Sequence, residues 1–160
     1  MKKDSRGFSL IELLIVVAII LIIAAIAIPN LLRSRIAANQ ASCVGSLRTL
    51  NTAEVTYSST YNTGYTGTLL DLGPPASGQP TATAAGLIDS VLAAGTKSGY
   101  TLTYTAGTAD ASGHINNYAI TGNPVSVGST GQNYYFTDES NVIRFNTSAQ
   151  ASASDSPIGG

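Results

Sequence analysis

Between positions 13 and 32 the chain carries no charged residue. About 20 residues at the 1.5 Å rise of an α-helix cover roughly the 30 Å hydrocarbon core of a bilayer. The apolar side chains there do not alternate with polar ones at a helical period, so the predicted helix is apolar all round and has to be surrounded by lipid or by other apolar helices. Downstream the pattern changes. Ile36, Cys43, Leu50 and Tyr57 recur at every seventh position, with Val44, Leu47 and Tyr61 on the same side, while Arg33, Arg35, Asn39, Arg48 and Glu54 fall mostly elsewhere. This stripe predicts an amphipathic continuation of the helix over 33–61, with an apolar face that later segments must cover.

From 62 to 80 the glycines and prolines (Gly64, Gly67, Gly73, Pro74, Pro75, Gly78, Pro80) forbid a long regular element. Within this loop, 69–72 reads as a single helical turn. Positions 84–94, closed by Gly95, read as a short helix burying Leu87, Ile88, Val91 and Leu92. Alternation at period two then takes over. Tyr100, Leu102 and Tyr104 sit between Thr101, Thr103 and Thr105, which predicts a strand with its threonines in water. Further strands are expected over 115–121, 132–137 and 141–146, the last two joined by Asp138-Glu139-Ser140. The fold class is therefore α+β: a long N-terminal helix, a membrane span in its first half, packed against an antiparallel sheet of about four strands. A single head at 62–146 follows, and 147–160, rich in Ser, Ala and Asp, reads as a flexible tail.

Charge adds direction. Lys2, Lys3 and Arg6 make a short basic leader, which predicts that this end stays in the cytoplasm and that the head faces outward. Arg33 and Arg35, just past the span, run against a strict count of positive charge. Glu12 is the one acid inside the apolar run. An ionised carboxylate there costs several kcal/mol without a partner, so it marks a functional position. Net charge is −1 over 160 residues, and nothing suggests a basic patch for nucleic acid.

Candidate chemistry elsewhere is sparse. His114 is the only histidine, and no metal-protease, nucleophile-elbow, phosphate-loop or dinucleotide pattern accompanies it. Cys43 is the only cysteine, so an intramolecular disulfide is impossible. Its reading is that of a small apolar helix residue, with an intermolecular bridge as the alternative. Asp138, Glu139 and Asn141 cluster oxygens without the spacing of a calcium loop, and a plain acidic turn is the simpler reading. Asn146-Thr147-Ser148 is a glycosylation sequon. Tyr57, Tyr61 and Tyr65 read as packing residues. No cofactor, no metal ligand set and no enzyme are expected.

Gly7-Phe8-Ser9-Leu10-Ile11-Glu12-Leu13-Leu14-Ile15-Val16-Val17-Ala18-Ile19, followed by Ala24-Ala25-Ile26-Ala27-Ile28-Pro29-Asn30-Leu31, resembles the N-terminus of type IV pilins and of type II secretion pseudopilins. The resemblance covers the first 30 to 35 positions. It implies a leader at 1–7, cut between Gly7 and Phe8 by a prepilin peptidase that then methylates the amine of Phe8. It further implies that Glu12 pairs with the Phe8 amine of a neighbouring subunit and so sets their register. Residues 8–32 would be first a span in inner-membrane lipid and later the core of a surface homopolymer. Assembly would depend on platform and motor proteins and on minor pilins. Pro29 would kink the helix, since it lacks a backbone donor. Many family members carry glycine where this chain has Leu21, so extended melting near that point is not expected, only a local defect just before Pro29.

Other readings stay open at this stage. Ala25-Ile26-Ala27 matches a signal-peptidase site, and a plain single-span anchor explains the length but not Glu12. A pseudopilin in a short periplasmic filament would share the N-terminus. A membrane-anchored enzyme would require His114 in a pocket with a carboxylate and a nucleophile.

Overall fold

A computed structural model describes residues 7–159. The leader therefore lies, apart from Gly7, outside the described residues. Helix α1 runs Leu10–Tyr61, and the chain divides into two units, Met1–Arg35 and Ile36–Gly160.

In the first unit the helix is bare. A window of 18 residues reaches a mean hydropathy of 3.3 with none of it buried. Helical structure continues without a break through Pro29. Pro29 has no N–H to give, so the carbonyl of Ala25 loses its normal i+4 donor. Leu21 sits in unbroken helix, as leucine's helix propensity favours.

In the second unit the seven-residue stripe is the buried face of α1. Ile36, Cys43, Leu47, Leu50, Ala53 and Tyr57 are all buried. All but Ile36 share one core cluster with residues of a five-stranded antiparallel meander: β1 Thr96–Lys97, β2 Tyr100–Ala106, β3 Tyr118–Pro124, β4 Tyr134–Asp138 and β5 Arg144–Asn146. In β2, Tyr100 and Leu102 point inward while Thr101, Thr103 and Thr105 are exposed, as period two requires. Gly122 in β3 lets the helix approach. A Cβ there would stand 2.8 Å from the Cys43 sulfur.

Several elements differ from expectation. The sheet has a fifth strand, β1, made by a hairpin whose turn residues Ser98 and Gly99 both take positive φ, 50° and 72°; such turns match the twist of paired strands. The strands expected at 115–121, 132–137 and 141–146 begin later than read. Ile115 is taken by the loop, its carbonyl accepting from Tyr65 N–H at 2.7 Å. The helix expected over 84–94 shrinks to α2, Ser90–Ala93, capped by Asp89. Its first half cannot be helical because its N–H groups are already used. Ala85 donates to the Asp71 carbonyl, Gly86 to Gly73, and Leu87 and Ile88 to Leu72. Gly86 sits at φ +66° to allow this. The 69–72 turn is present as one turn of 3-10 helix, Leu69–Leu72.

The segment read as a flexible tail packs against the sheet. Ile158 N–H donates to Ile143 O at 2.9 Å and Phe145 N–H to Ser156 O at 3.0 Å. Ala151 is buried, and Ile158 touches the core. Two apolar anchors, Ala151 and Ile158, and a turn organised by Asp155 achieve this without a strand.

Candidate functional site

Gly7, Phe8 and Ser9 precede the helix in irregular chain. Ser9 caps the start of α1: its carbonyl accepts from Leu13 N–H at 3.2 Å, and its N–H donates to Glu12 Oε2 at 2.9 Å. This is the reciprocal half of a capping box, in which a carboxylate at the third helical position satisfies a donor at the helix start. The negative charge also sits at the positive end of the helix macrodipole. Glu12 Oε1 has no hydrogen bond among the described residues, so one oxygen orients the side chain and the other is available. Phe8 is 79% exposed, and a Cβ at Gly7 would meet nothing within 4 Å. The Gly7–Phe8 peptide thus lies outside the hydrogen-bonded helix, immediately before an acid held at the first turn.

Beyond this site the apolar residues of 10–32 stay uncovered; Leu10, Ile19, Ile22, Ile26 and Leu31 are all more than half exposed. Such a surface is stable only in lipid or against other apolar helices. Arg33, Arg35 and Arg48 are exposed on α1.

The head does not assemble a catalytic set around His114. That residue is exposed in a turn built by Asp110, whose Oδ1 accepts from the backbone N–H groups of Ser112 and His114 at 2.8 and 3.0 Å. The hydrogen bond from His114 N–H, followed by those from Asn116 and Ser112, holds the Asp110 carboxyl below the usual range. Asp138 likewise spends Oδ1 on Ser140, through its N–H at 3.0 Å and its hydroxyl, while Asn141 takes φ 60° to close the turn. No group of three metal-ligating side chains occurs among the described residues. The sequon asparagine is engaged on both sides. Asn146 Nδ2 donates to Asp155 Oδ1 at 2.8 Å, and its Oδ1 accepts from Ser148 N–H at 2.9 Å. Cys43 is buried, and burial pushes its thiol up to about 12. Of the tyrosines, Tyr57 and Tyr61 pack with their rings tilted at 44° and centroids 4.8 Å apart, and Tyr65 meets Tyr118 edge-on at 4.7 Å.

Two buried polar residues were not anticipated. Asn51 on α1 donates to Thr137 Oγ1 at 2.9 Å and accepts from the Tyr118 hydroxyl at 3.1 Å, tying the helix to β4 and β3. Glu54 is fully buried. Its Oε2 accepts from Thr66 N–H at 3.0 Å, and its Oε1 lies against the Thr66 hydroxyl. Burial raises the Glu54 carboxyl above its ordinary range, with the Thr66 hydrogen bonds pulling the other way. The signal was available: 54 is seven after Leu47 and seven before Tyr61, squarely on the apolar stripe.

Residues 2–28 match the prokaryotic N-terminal methylation motif. The chain is 49% identical over 53 residues to a type IV major pilin protein, PilA, of Myxococcus xanthus, covering 33% of this chain and 24% of that relative. It is 62% identical over 37 residues to a type IV wide pilus major component, PilA4, of Thermus thermophilus, covering 23% of this chain and 28% of the relative. The aligned segments thus span about a quarter of the length of these curated relatives. No solved structure matches.

Proposed function

We propose that this chain, whose N-terminal third belongs to the type IV pilin superfamily, is a structural subunit, not an enzyme, that polymerises through α1 into a surface filament. The carrying observation is an uncovered apolar helix of membrane length that starts three residues after Gly7 and carries one acid at its first turn.

Processing comes first. A prepilin peptidase cuts Gly7–Phe8 and methylates Phe8. Among the described residues nothing stands within 4 Å of a Cβ added at Gly7, which supports a need for glycine there that rests with the peptidase. Cleavage turns the Phe8 nitrogen into a cation and removes Lys2, Lys3 and Arg6. The head faces outward while 8–32 sits in inner-membrane lipid.

Assembly then moves the helix from lipid into a bundle of like helices, so little apolar surface meets water at any point. The second carboxylate oxygen of Glu12 accepts from the Phe8 amine of a neighbouring copy. A desolvated pair of this kind is satisfied at one stagger only, and removing one partner strands the other at roughly 3 to 5 kcal/mol. The chain carries no phosphate-loop pattern, so platform and motor proteins supply the work, with minor pilins assisting.

The test is Glu12→Ala. The variant is expected to insert and be cleaved with filament yield strongly reduced, while mass spectrometry of sheared surface material from the wild type finds chains starting at methylated Phe8. Normal yield from Glu12→Ala would refute the register role. Chains starting at Phe8 but confined to the membrane fraction would favour a secretion pseudopilin over a surface pilin.

A further inference from the structure

Arg33 and Arg35 close the uncharged span on the side opposite the leader, and both are exposed. On a helix only side chains three or four positions apart meet. The positions within one turn are Pro29, Asn30, Leu31, Leu32, Ile36, Ala37, Ala38 and Asn39, none of them acidic. The one salt bridge among the described residues is Lys97 to Asp89. These two cations therefore have no counter-ion on their own helix.

Their spacing says what kind of anion suits them. Two positions apart at 3.6 residues per turn, the side chains leave the helix about 200° from each other, so they cannot close on one anion and need two. Measured from the middle of the 13–32 span, Arg33 lies about 16 Å and Arg35 about 19 Å along the axis. The half-thickness of the hydrocarbon is about 15 Å. Cα–Cβ bonds tilt toward the helix start, which here means into the acyl layer. The aliphatic stems then lie along apolar surface and the guanidinium heads turn back to the interface.

We propose that Arg33 and Arg35 each bind the phosphate of a phospholipid headgroup in the outward-facing leaflet, forming a two-sided collar that sets the depth of the span before assembly. The planar fork of guanidinium matches phosphate oxygens two at a time, where an ammonium offers a point charge. This inference rests on the reading that 8–32 occupies a membrane. It adds a consequence for extraction, because both contacts must be exchanged before the helix leaves the bilayer.

The test uses the full chain, in an Arg6→Lys background so that the leader does not contribute, with carbon-13 in the arginine guanidinium carbon. It is reconstituted in bilayers of phosphatidylcholine and phosphatidylglycerol. Carbon–phosphorus dipolar dephasing by solid-state NMR is expected, reduced by about half in Arg33→Gln or Arg35→Gln, lost in the double variant, and retained in Arg48→Gln. Absence of dephasing in a chain that still resists carbonate extraction overturns the lipid contact alone. A chain that washes off the bilayer overturns the membrane reading and the collar with it. Equal dephasing in uncharged detergent with inorganic phosphate would assign a free-phosphate site and overturn the lipid assignment.

Discussion

Glu54→Gln is expected to stabilise the head, and to do so increasingly as pH rises. The Thr66 hydroxyl stands between Glu54 Oε1 and the Tyr104 hydroxyl, the latter at 3.1 Å, and the Tyr104 hydroxyl itself donates to Thr66 O at 2.9 Å. A threonine hydroxyl has one proton. If Glu54 is ionised, that proton goes to the carboxylate and the Tyr104 oxygen loses its donor. If Glu54 is protonated, it donates to Thr66, Thr66 donates to Tyr104, Tyr104 donates to Thr66 O, and every link is filled. A glutamine in place of Glu54 would reproduce both links to Thr66, its amide nitrogen donating one hydrogen to Thr66 Oγ1 and its oxygen accepting from Thr66 N–H.

The surroundings also favour the neutral form. Facing the carboxyl are Tyr57 from α1, Asp71 from the 3-10 turn, Tyr104 from β2 and Tyr118 from β3, and no salt bridge reaches Glu54 among the described residues. Burial raises the carboxyl, and the negative charge of Asp71 adds to it. The folded state therefore holds a proton at pH values where the unfolded chain has released it. The stability it contributes is fully present below about pH 4.3, the ordinary glutamate range, and is lost as pH rises through the folded value. The slope is at most about 1.4 kcal/mol per pH unit.

Glutamine has no such slope. At neutral pH it is expected to be more stable by about 1 to 3 kcal/mol, the cost of a poorly compensated buried polar group. Urea unfolding of the full chain in detergent, followed by tyrosine circular dichroism between about pH 4 and pH 8, reads the difference. Curves for wild type and Glu54→Gln that stay parallel across that range, or a glutamine variant that is weaker at every pH, would refute the argument and identify Glu54 as an ionised acceptor.

Two further outcomes follow from Cys43 and its contact with β3. Gly122→Ala puts a methyl 2.8 Å from the Cys43 sulfur, and overpacking of this kind is expected to cost about 1 to 3 kcal/mol; Cys43→Ala in the same chain recovers part of it, and strictly additive effects in a denaturation cycle would show that the two do not touch. The Cys43 thiol, buried and raised to about 12, is expected to resist alkylation at mildly alkaline pH until urea unfolds the head, whereas native labelling at the rate of a free thiol would place it at the surface.

How much of this was legible depends on how local each determinant is. The span needed only length and uniform apolarity, and the seven-residue stripe needed only spacing, so the long helix was read to within a few residues of Leu10–Tyr61. Glu54 was misplaced because its charge was weighed above its position. Its partner Thr66 lies in a loop, and no helix pattern announces that a loop threonine will supply an N–H to a buried acid. The 84–94 segment failed for a related reason. Its apolar spacing suits a helix, but the carbonyls of Asp71, Leu72 and Gly73 claim its N–H groups, a tertiary competition that composition does not carry. The β1–β2 hairpin did have a local signal, Ser98-Gly99, whose weight is small beside a two-residue strand. The closing segment lacked apolar content, yet Asp155 holds it with bonds from Ser152 and Asn146, the first of which leads in lowering its carboxyl.

The same distinction explains where likeness to other proteins falls. On the function proposed above, the first half of α1 meets one physical demand: to be apolar on all sides, in lipid and then in a bundle of like helices. The matched motif covers 2–28, which takes in most of the uncharged stretch at 13–32. The head meets a looser demand, to cover one stripe of α1. This chain does so without a disulfide, through Asn51 and Glu54 on the helix and threonines, tyrosines and a glycine on the facing segments. Many arrangements of polar pairs would cover the stripe equally well, a weaker demand on sequence than the uniform apolarity of the span.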